Sequence, residues 1–180
     1  TARRNGIKID FVGKEVIERK AQSLKNSNQK INHQGFIGET VEFSYCDIDD
    51  IFEKAKSKGV EPFIIILDGI EDTHNFGAII RSAECAGVSG IIIPERRAWA
   101  INETVIKTSA GAVSNVLIAW VNNLNLAIEN LKKRNVWVYA VEVGGDNLFK
   151  TNLKGAVALV LGSEGSGVSR LVKENCDGIV

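Results

Sequence analysis

Phe63-Ile-Ile-Ile-Leu67, followed without a break by Asp68-Gly-Ile-Glu-Asp-Thr-His-Asn-Phe-Gly-Ala-Ile-Ile-Arg81, decides the fold class. The first five residues are a short, continuous apolar run, the pattern of a strand buried on both faces of a parallel sheet. Phe76, Ile79, Ile80 and Ala83 then fall at i, i+3, i+4 and i+7, which gives a helix one apolar stripe to lay on that sheet. Asn75 is the candidate N-cap, because its side chain can accept an unpaired amide of the first turn. Strand, polar loop and amphipathic helix make the first part of a βαβ unit.

The alternation continues in both directions. Gly90-Ile-Ile-Ile93, Val116-Leu-Ile-Ala-Trp-Val121, Val136-Trp-Val-Tyr-Ala-Val141 and Ala156-Val-Ala-Leu-Val-Leu161 read as further strands. Leu124, Ala127, Ile128 and Leu131 form a second helical stripe behind a cap at Asn122 or Asn123. Upstream, Ile48, Ile51, Phe52 and Ala55 repeat the stripe after Asp47; Gly59 is placed to stop that helix, and Pro62 breaks the chain before the sheet. The pattern predicts an α/β fold with a mostly parallel sheet and helices on both faces. A helix is expected over residues 13–25, and Gly35 to Tyr45 alternates as a strand would. Residues 1–46 read as the closing part of a smaller N-terminal lobe and residues 47–180 as the main domain.

Lys plus Arg and Asp plus Glu are both 22, so any polyanion site must be a local patch and not a global field. Residues 1–30 hold eight basic residues against three acidic ones, which makes the N-terminal lobe basic. Cys46, Cys85 and Cys176 lack the spacing of a disulfide framework or a zinc site, and a reducing cytoplasm fits them best. No apolar run reaches the roughly 18 residues of a membrane span. Asp68 and Asp72 read as turn residues, so no metal is expected.

The residues that suggest chemistry cluster after two strands. Asn75 opens a helix, where an amide can cap or can hold a hydroxyl or phosphate near the positive helix end. Arg81 points away from the Phe76 stripe, with Glu84 as its possible ion-pair partner. His74 reads as a solvated loop residue. After the last strand, Leu161-Gly-Ser-Glu-Gly-Ser-Gly-Val168 sets Gly162, Gly165 and Gly167 around Glu164, allowing close backbone approach to a ligand. It is neither a Walker loop nor a full dinucleotide fingerprint, which leaves a nicotinamide enzyme using Glu142 without its glycines. Arg96-Arg97 and Lys132-Lys133-Arg134 could touch an RNA backbone or could be solvated ends. Trp99, Trp120 and Trp137 read as core residues and not base-stacking platforms, Trp99 least firmly.

Together these motifs resemble those of the SpoU (TrmH-type) RNA 2′-O-ribose methyltransferases, in the SPOUT superfamily. Asp68-Gly-Ile-Glu-Asp72 with Asn75-Phe-Gly-Ala-Ile-Ile-Arg81 is similar to the first family motif and Leu161 to Val168 to the second. Lys107-Thr-Ser-Ala-Gly-Ala112 and Asn32-His-Gln-Gly35 are similar to the subgroup that modifies large-subunit ribosomal RNA. The resemblance implies a C-terminal trefoil knot, a rare exception to unknotted connectivity, and a cytoplasmic homodimer that uses S-adenosyl-L-methionine on RNA. Ribosomal RNA is the preferred substrate and tRNA the competing one; a non-catalytic RNA-binding or ribosome-assembly module is the alternative reading. By resemblance, Leu161, Gly162 and Ser163, helped by Val141, Thr108 and Ser109, line the cofactor pocket. Asn75 and Arg81 face the target nucleotide, and Glu164 orders the site. A third family motif should begin about where Cys176-Asp-Gly-Ile-Val180 stops, and the chain lacks methionine. A piece of a longer active protein is expected from both.

Overall fold

The computed structural model describes residues 8–23, 33–38, 43–95 and 101–180. The chain divides into two compact units, Thr1–Glu42 and Phe43–Val180. In the first, helix α1 spans Lys14–Ser23, within the expected 13–25. His33 to Gly35 make a left-handed turn (φ +46° at Gln34, +82° at Gly35), closed by the Phe36 amide donating to the His33 carbonyl at 2.8 Å.

In the second unit, α2 (Ile48–Ser57), β1 (Phe63–Asp68), α3 (Thr73–Cys85), β2 (Gly90–Pro94), α4 (Glu103–Thr108) and β3 (Leu117–Val121) are followed by α5 (Leu124–Lys133), β4 (Trp137–Val141), β5 (Val157–Gly162), α6 (Arg170–Asn175) and β6 (Gly178–Ile179). All six strands are parallel, in the order β3-β2-β1-β5-β4-β6. Each of the five apolar runs forms a strand where its sequence places it. The chain lays β2 and β3 to one side of β1 and β5, β4 and β6 to the other, so the order reverses between β1 and β5. In register there, Asp68 stands beside Gly162, which brings the two glycine-bearing motifs to one sheet edge.

Two cores sandwich the sheet. On one face Ile64, Ile66, Val138, Ala140, Ala158 and Val160 pack under Ile51 of α2, the whole Leu124, Ala127, Ile128, Leu131 stripe of α5, and Val172 of α6. On the other, Ile65, Leu67, Ile91, Ile93 and Ile118 pack under Phe76, Ile80 and Ala83 of α3 and Val105 of α4. That second cover stops short of β4: Trp137 is 58% and Val141 37% exposed. Parallel sheets are ordinarily buried on both faces, and here one stretch is bare.

Several expectations need correction. The cap of α3 is Asp72, whose Oδ1 accepts the Asn75 amide at 2.8 Å, so Asn75 lies inside the first turn. Asn123 does cap α5, accepting the Asn125 and Leu126 amides, and Asp47 precedes α2 as expected. The strand expected over Gly35 to Tyr45 is absent from its described residues. The left-handed turn occupies its start, and Phe43 and Tyr45 pack edge to face at 5.2 Å instead of laddering, which leaves only a single bridge from Cys46 to Ala119. Trp120 is 39% exposed on the edge strand β3, packed against Tyr45 with the rings tilted by 38°, and Trp137 lies on the bare stretch; neither is core. Trp99, Arg96 and Arg97 lie outside the described residues, as does Asn32.

Candidate active site

The switch between β1 and β5 is where a doubly wound sheet opens a crevice at its carboxyl edge. Two recesses meet there. An apolar one of about 540 Å³ has Phe63, Ile65, Ile70, Ile79 and Leu161 among its walls and Asn75, Gly162 and Glu164 at its rim. A wider polar one of about 1240 Å³ runs over Asp68, Asp72, Asn75, Ser163, Glu164 and Lys173. Asn75 and Glu164 border both. Both side chains are exposed and form no hydrogen bond or ion pair among the described residues, so the two polar groups presented at the junction are uncommitted.

The glycine turn between them is tightly built. Ser163 and Gly167 exchange both backbone hydrogen bonds, at 3.1 and 2.9 Å. Ser163 Oγ lies 2.6 Å from Ser166 Oγ inside the turn. The turn then feeds Val168 into the core at 2% exposure. Its two exit amides go to carboxylates, Val168 N–H to Glu142 Oε1 and Ser169 N–H to Asp68 Oδ2, both at 2.7 Å. Lys173 Nζ stands 3.0 Å from the same Glu142 oxygen. The Val168 amide first, then Lys173, holds the Glu142 carboxyl below the ordinary glutamate range. In the sequence Glu142 reads only as a ribose ligand. Its signal was its place one residue past a strand neighbouring the glycine turn.

Arg81 is exposed and makes no ion pair or hydrogen bond among the described residues; Glu84, its expected partner, instead accepts from the Asn115 amide at 3.4 Å. Six residues separate Arg81 from Asn75 on α3, about 9 Å along the axis and about 120° around it, so the two point in different directions. Thr108 and Ser109 line neither recess. Thr108 Oγ1 donates to the Thr104 carbonyl at 2.7 Å and Ser109 Oγ to that of Ile106 at 3.0 Å. Thr108 also fills the space beside Gly77, where any Cβ would collide with its hydroxyl. Val141 pairs with Leu161 across β4 and β5 and borders the bare stretch. The structure thus gathers Asn75, Leu161, Gly162, Ser163 and Glu164 at the two recesses, whereas Arg81, Thr108, Ser109 and Val141 line neither.

Other candidates have structural duties. Lys132 pairs with Asp177 at 2.8 Å, and Arg134 pairs with Asp49 and lies over the Phe52 ring. Those two members of the basic cluster tie helices and strands together instead of facing outward unpaired. Asp68 and Asp72 bind backbone amides, and no group of three or more metal-ligating side chains occurs among the described residues. Burial pushes the Cys46 and Cys176 thiols up to about 11, so both stay protonated. No helix among the described residues is long and apolar enough to cross a membrane.

Comparison with known proteins places these features. Residues 62–180 match the model of the SpoU rRNA Methylase family. Over 99% of its length the chain is 37% identical to YacO of Bacillus subtilis, whose name places it among TrmH family tRNA/rRNA methyltransferases, and it covers 69% of that protein. It is 36% identical to the 23S rRNA (guanosine-2′-O-)-methyltransferase RlmB of Xanthomonas campestris, over 99% of the chain and 70% of the relative. Among solved structures, the SpoU methyltransferase AviRb of Streptomyces viridochromogenes, in complex with the cofactor AdoMet, superposes with a TM-score of 0.65 at 23% identity. That superposition covers 74% of this chain and about half (51%) of AviRb, a likeness of fold.

Proposed function

The chain belongs to the SpoU rRNA methylase family, and from that premise we propose that it transfers a methyl group from S-adenosyl-L-methionine to a ribose 2′-hydroxyl of structured RNA. One observation carries the reading: Asn75 of the first motif and Leu161 to Glu164 of the second, distant in sequence, border the same recesses where the strand order reverses.

The residues present fit the cofactor. A recess of about 540 Å³, apolar within and polar at its rim, suits a nucleoside-sized ligand. When bound, S-adenosylmethionine supplies an electrophilic methyl group. Leu161 and Gly162 would hold it, with Ser163 on the adjoining polar recess and Val141 beside Leu161. Thr108 and Ser109 act from behind α3, whose seat on α4 fixes Asn75. The Asn75 amide receives the ribose hydroxyl, and Glu164 orders the junction between the two recesses. A ribose 2′-hydroxyl is a weak acid that must shed its proton as it attacks. Arginine side chains stay protonated, so Arg81 acts electrostatically: its fork clamps a phosphate, and that phosphate or a water takes the proton. Set around the helix from Asn75, Arg81 grips the backbone beside the target and not the reacting oxygen itself.

Large-subunit ribosomal RNA is the proposed substrate, supported by the Lys107–Ala112 segment and the RlmB relative. Residues 1–46 are proposed to close an RNA-binding domain. The exposed Trp137 and Val141 on β4 support a homodimer, and the cytoplasm is the proposed compartment. Transfer of labelled methyl groups from S-adenosylmethionine to total RNA, followed by mapping, tests the activity and the substrate. Label in ribosomal RNA is expected; label in tRNA redirects the substrate, and no label in any RNA supports the non-catalytic module.

A further inference from the structure

Strand β5 lies between β1 and β4, and each neighbour sends one carboxylate from its C-terminal end to the exit of the glycine turn. Asp68 Oδ2 takes the Ser169 amide and Glu142 Oε1 the Val168 amide, each at 2.7 Å, so successive backbone donors are pinned to opposite walls. The two Ser163–Gly167 bonds close the turn on itself but attach it to nothing else. Its three glycines give it wide conformational freedom. Attachment to the sheet at the exit therefore falls to the carboxylates and to the buried Val168 side chain.

The Glu142 side is the more elaborate. Its Oε1 also faces Lys173 Nζ at 3.0 Å, one turn into α6, so one oxygen ties strand, turn and helix. Gly167, at φ +65°, is packed so closely on it that a Cβ would stand 2.5 Å from that oxygen. A side chain at Gly167 would force the Glu142 carboxylate out of its present place.

We propose that Glu142 is a positioning residue for the methyl-donor site. By holding Val168 it presets Leu161, Gly162 and Ser163 in the geometry that accepts S-adenosylmethionine, sparing the cofactor the cost of ordering a glycine turn. The inference rests on the function proposed above and adds a residue that touches neither cofactor nor RNA.

Calorimetric titration of S-adenosylmethionine into the full chain, with hydrogen exchange at the Val168 amide, tests it. Glu142→Ala is expected to weaken cofactor binding about tenfold or more, the loss of one charge-assisted hydrogen bond. Glu142→Gln, which keeps an acceptor oxygen, should fall between it and the wild type. In both, Val168 exchanges faster without cofactor, and kcat at saturating cofactor stays within about twofold while KM rises. Unchanged affinity with unchanged Val168 exchange overturns the proposal, as does a fall in kcat at constant KM. If the wild type binds no cofactor, the functional reading itself falls and this inference with it. Should Glu142→Ala fail to fold, Lys173→Gln decides: a smaller weakening of binding supports the tie, and wild-type affinity overturns it.

Discussion

A Cβ on Gly162 would clash with the carbonyl carbon of Gly167. The chain leaves β5 and doubles back so tightly that the last residue of the strand touches the far side of its own turn. The obstacle is backbone, which cannot rotate away as a side chain can. Gly162→Ala should therefore pry the turn open and cost about 1–3 kcal/mol, as overpacking generally does. Gly165, at the tip, has nothing within 4 Å of its Cβ direction, so Gly165→Ala should stay within about 0.5 kcal/mol of the wild type. Urea denaturation of both variants checks the contrast; equal stability would mean the turn relaxes freely.

Asn75 and Asp72 divide what one residue was expected to do. Asp72 caps α3 through the Asn75 amide at 2.8 Å, while the Asn75 side chain is left over. Asp72→Ala should cost about 1 kcal/mol, the usual worth of a cap. Asn75→Ala should be nearly neutral for stability and severe for methyl transfer. Thermal melting beside an activity assay separates the two, and a strongly destabilised Asn75→Ala would return it to a structural role.

The strands, the α3 and α5 stripes and the two motifs were legible because each rests on local repetition or local chemistry. Continuous apolar runs mark strands buried on both faces, and Leu124, Ala127, Ile128 and Leu131 all reach the core they point to. Short elements gave no period: α4 and α6 have six residues each, and β6 only two. Asn102, whose Oδ1 accepts the Val105 amide at 3.0 Å, was the available sign of α4. The choice between Asp72 and Asn75 as cap was invisible because both residue types cap, and the helix begins two residues before Asn75. Glu142 was missed for a different reason. Its partner Val168 is 26 residues away, and only the adjacency of β4 to β5 brings them together.

Arg81 offers a test of charge against shape. It is exposed and has no hydrogen-bond or ion-pair partner among the described residues, so replacing it should change stability by less than about 0.5 kcal/mol. Arg81→Lys keeps the charge and loses the planar fork. If the guanidinium clamps a phosphate through two parallel hydrogen bonds, the lysine variant should lose at least about tenfold in kcat/KM for RNA. Nearly full activity in Arg81→Lys would remove the clamp and leave a simple charge.

Acid should loosen the glycine turn before the rest of the fold. The Val168 amide and Lys173 favour the ionised form of Glu142 and so hold its folded pKa below the unfolded value. A depressed carboxyl contributes stability that is fully present above the unfolded glutamate value, about 4.3, and is lost as the pH falls through the lower folded value. Lys173 is the charged group that faces it, at 3.0 Å. The Tm difference between wild type and Glu142→Gln should therefore be constant above about pH 5 and shrink in more acid solution. Val168 amide protection, corrected for the intrinsic pH dependence of exchange, should fall over the same range in the wild type alone. A Tm difference that persists unchanged to pH 3 would mean that the Glu142 charge contributes nothing, and that the side chain acts there by shape.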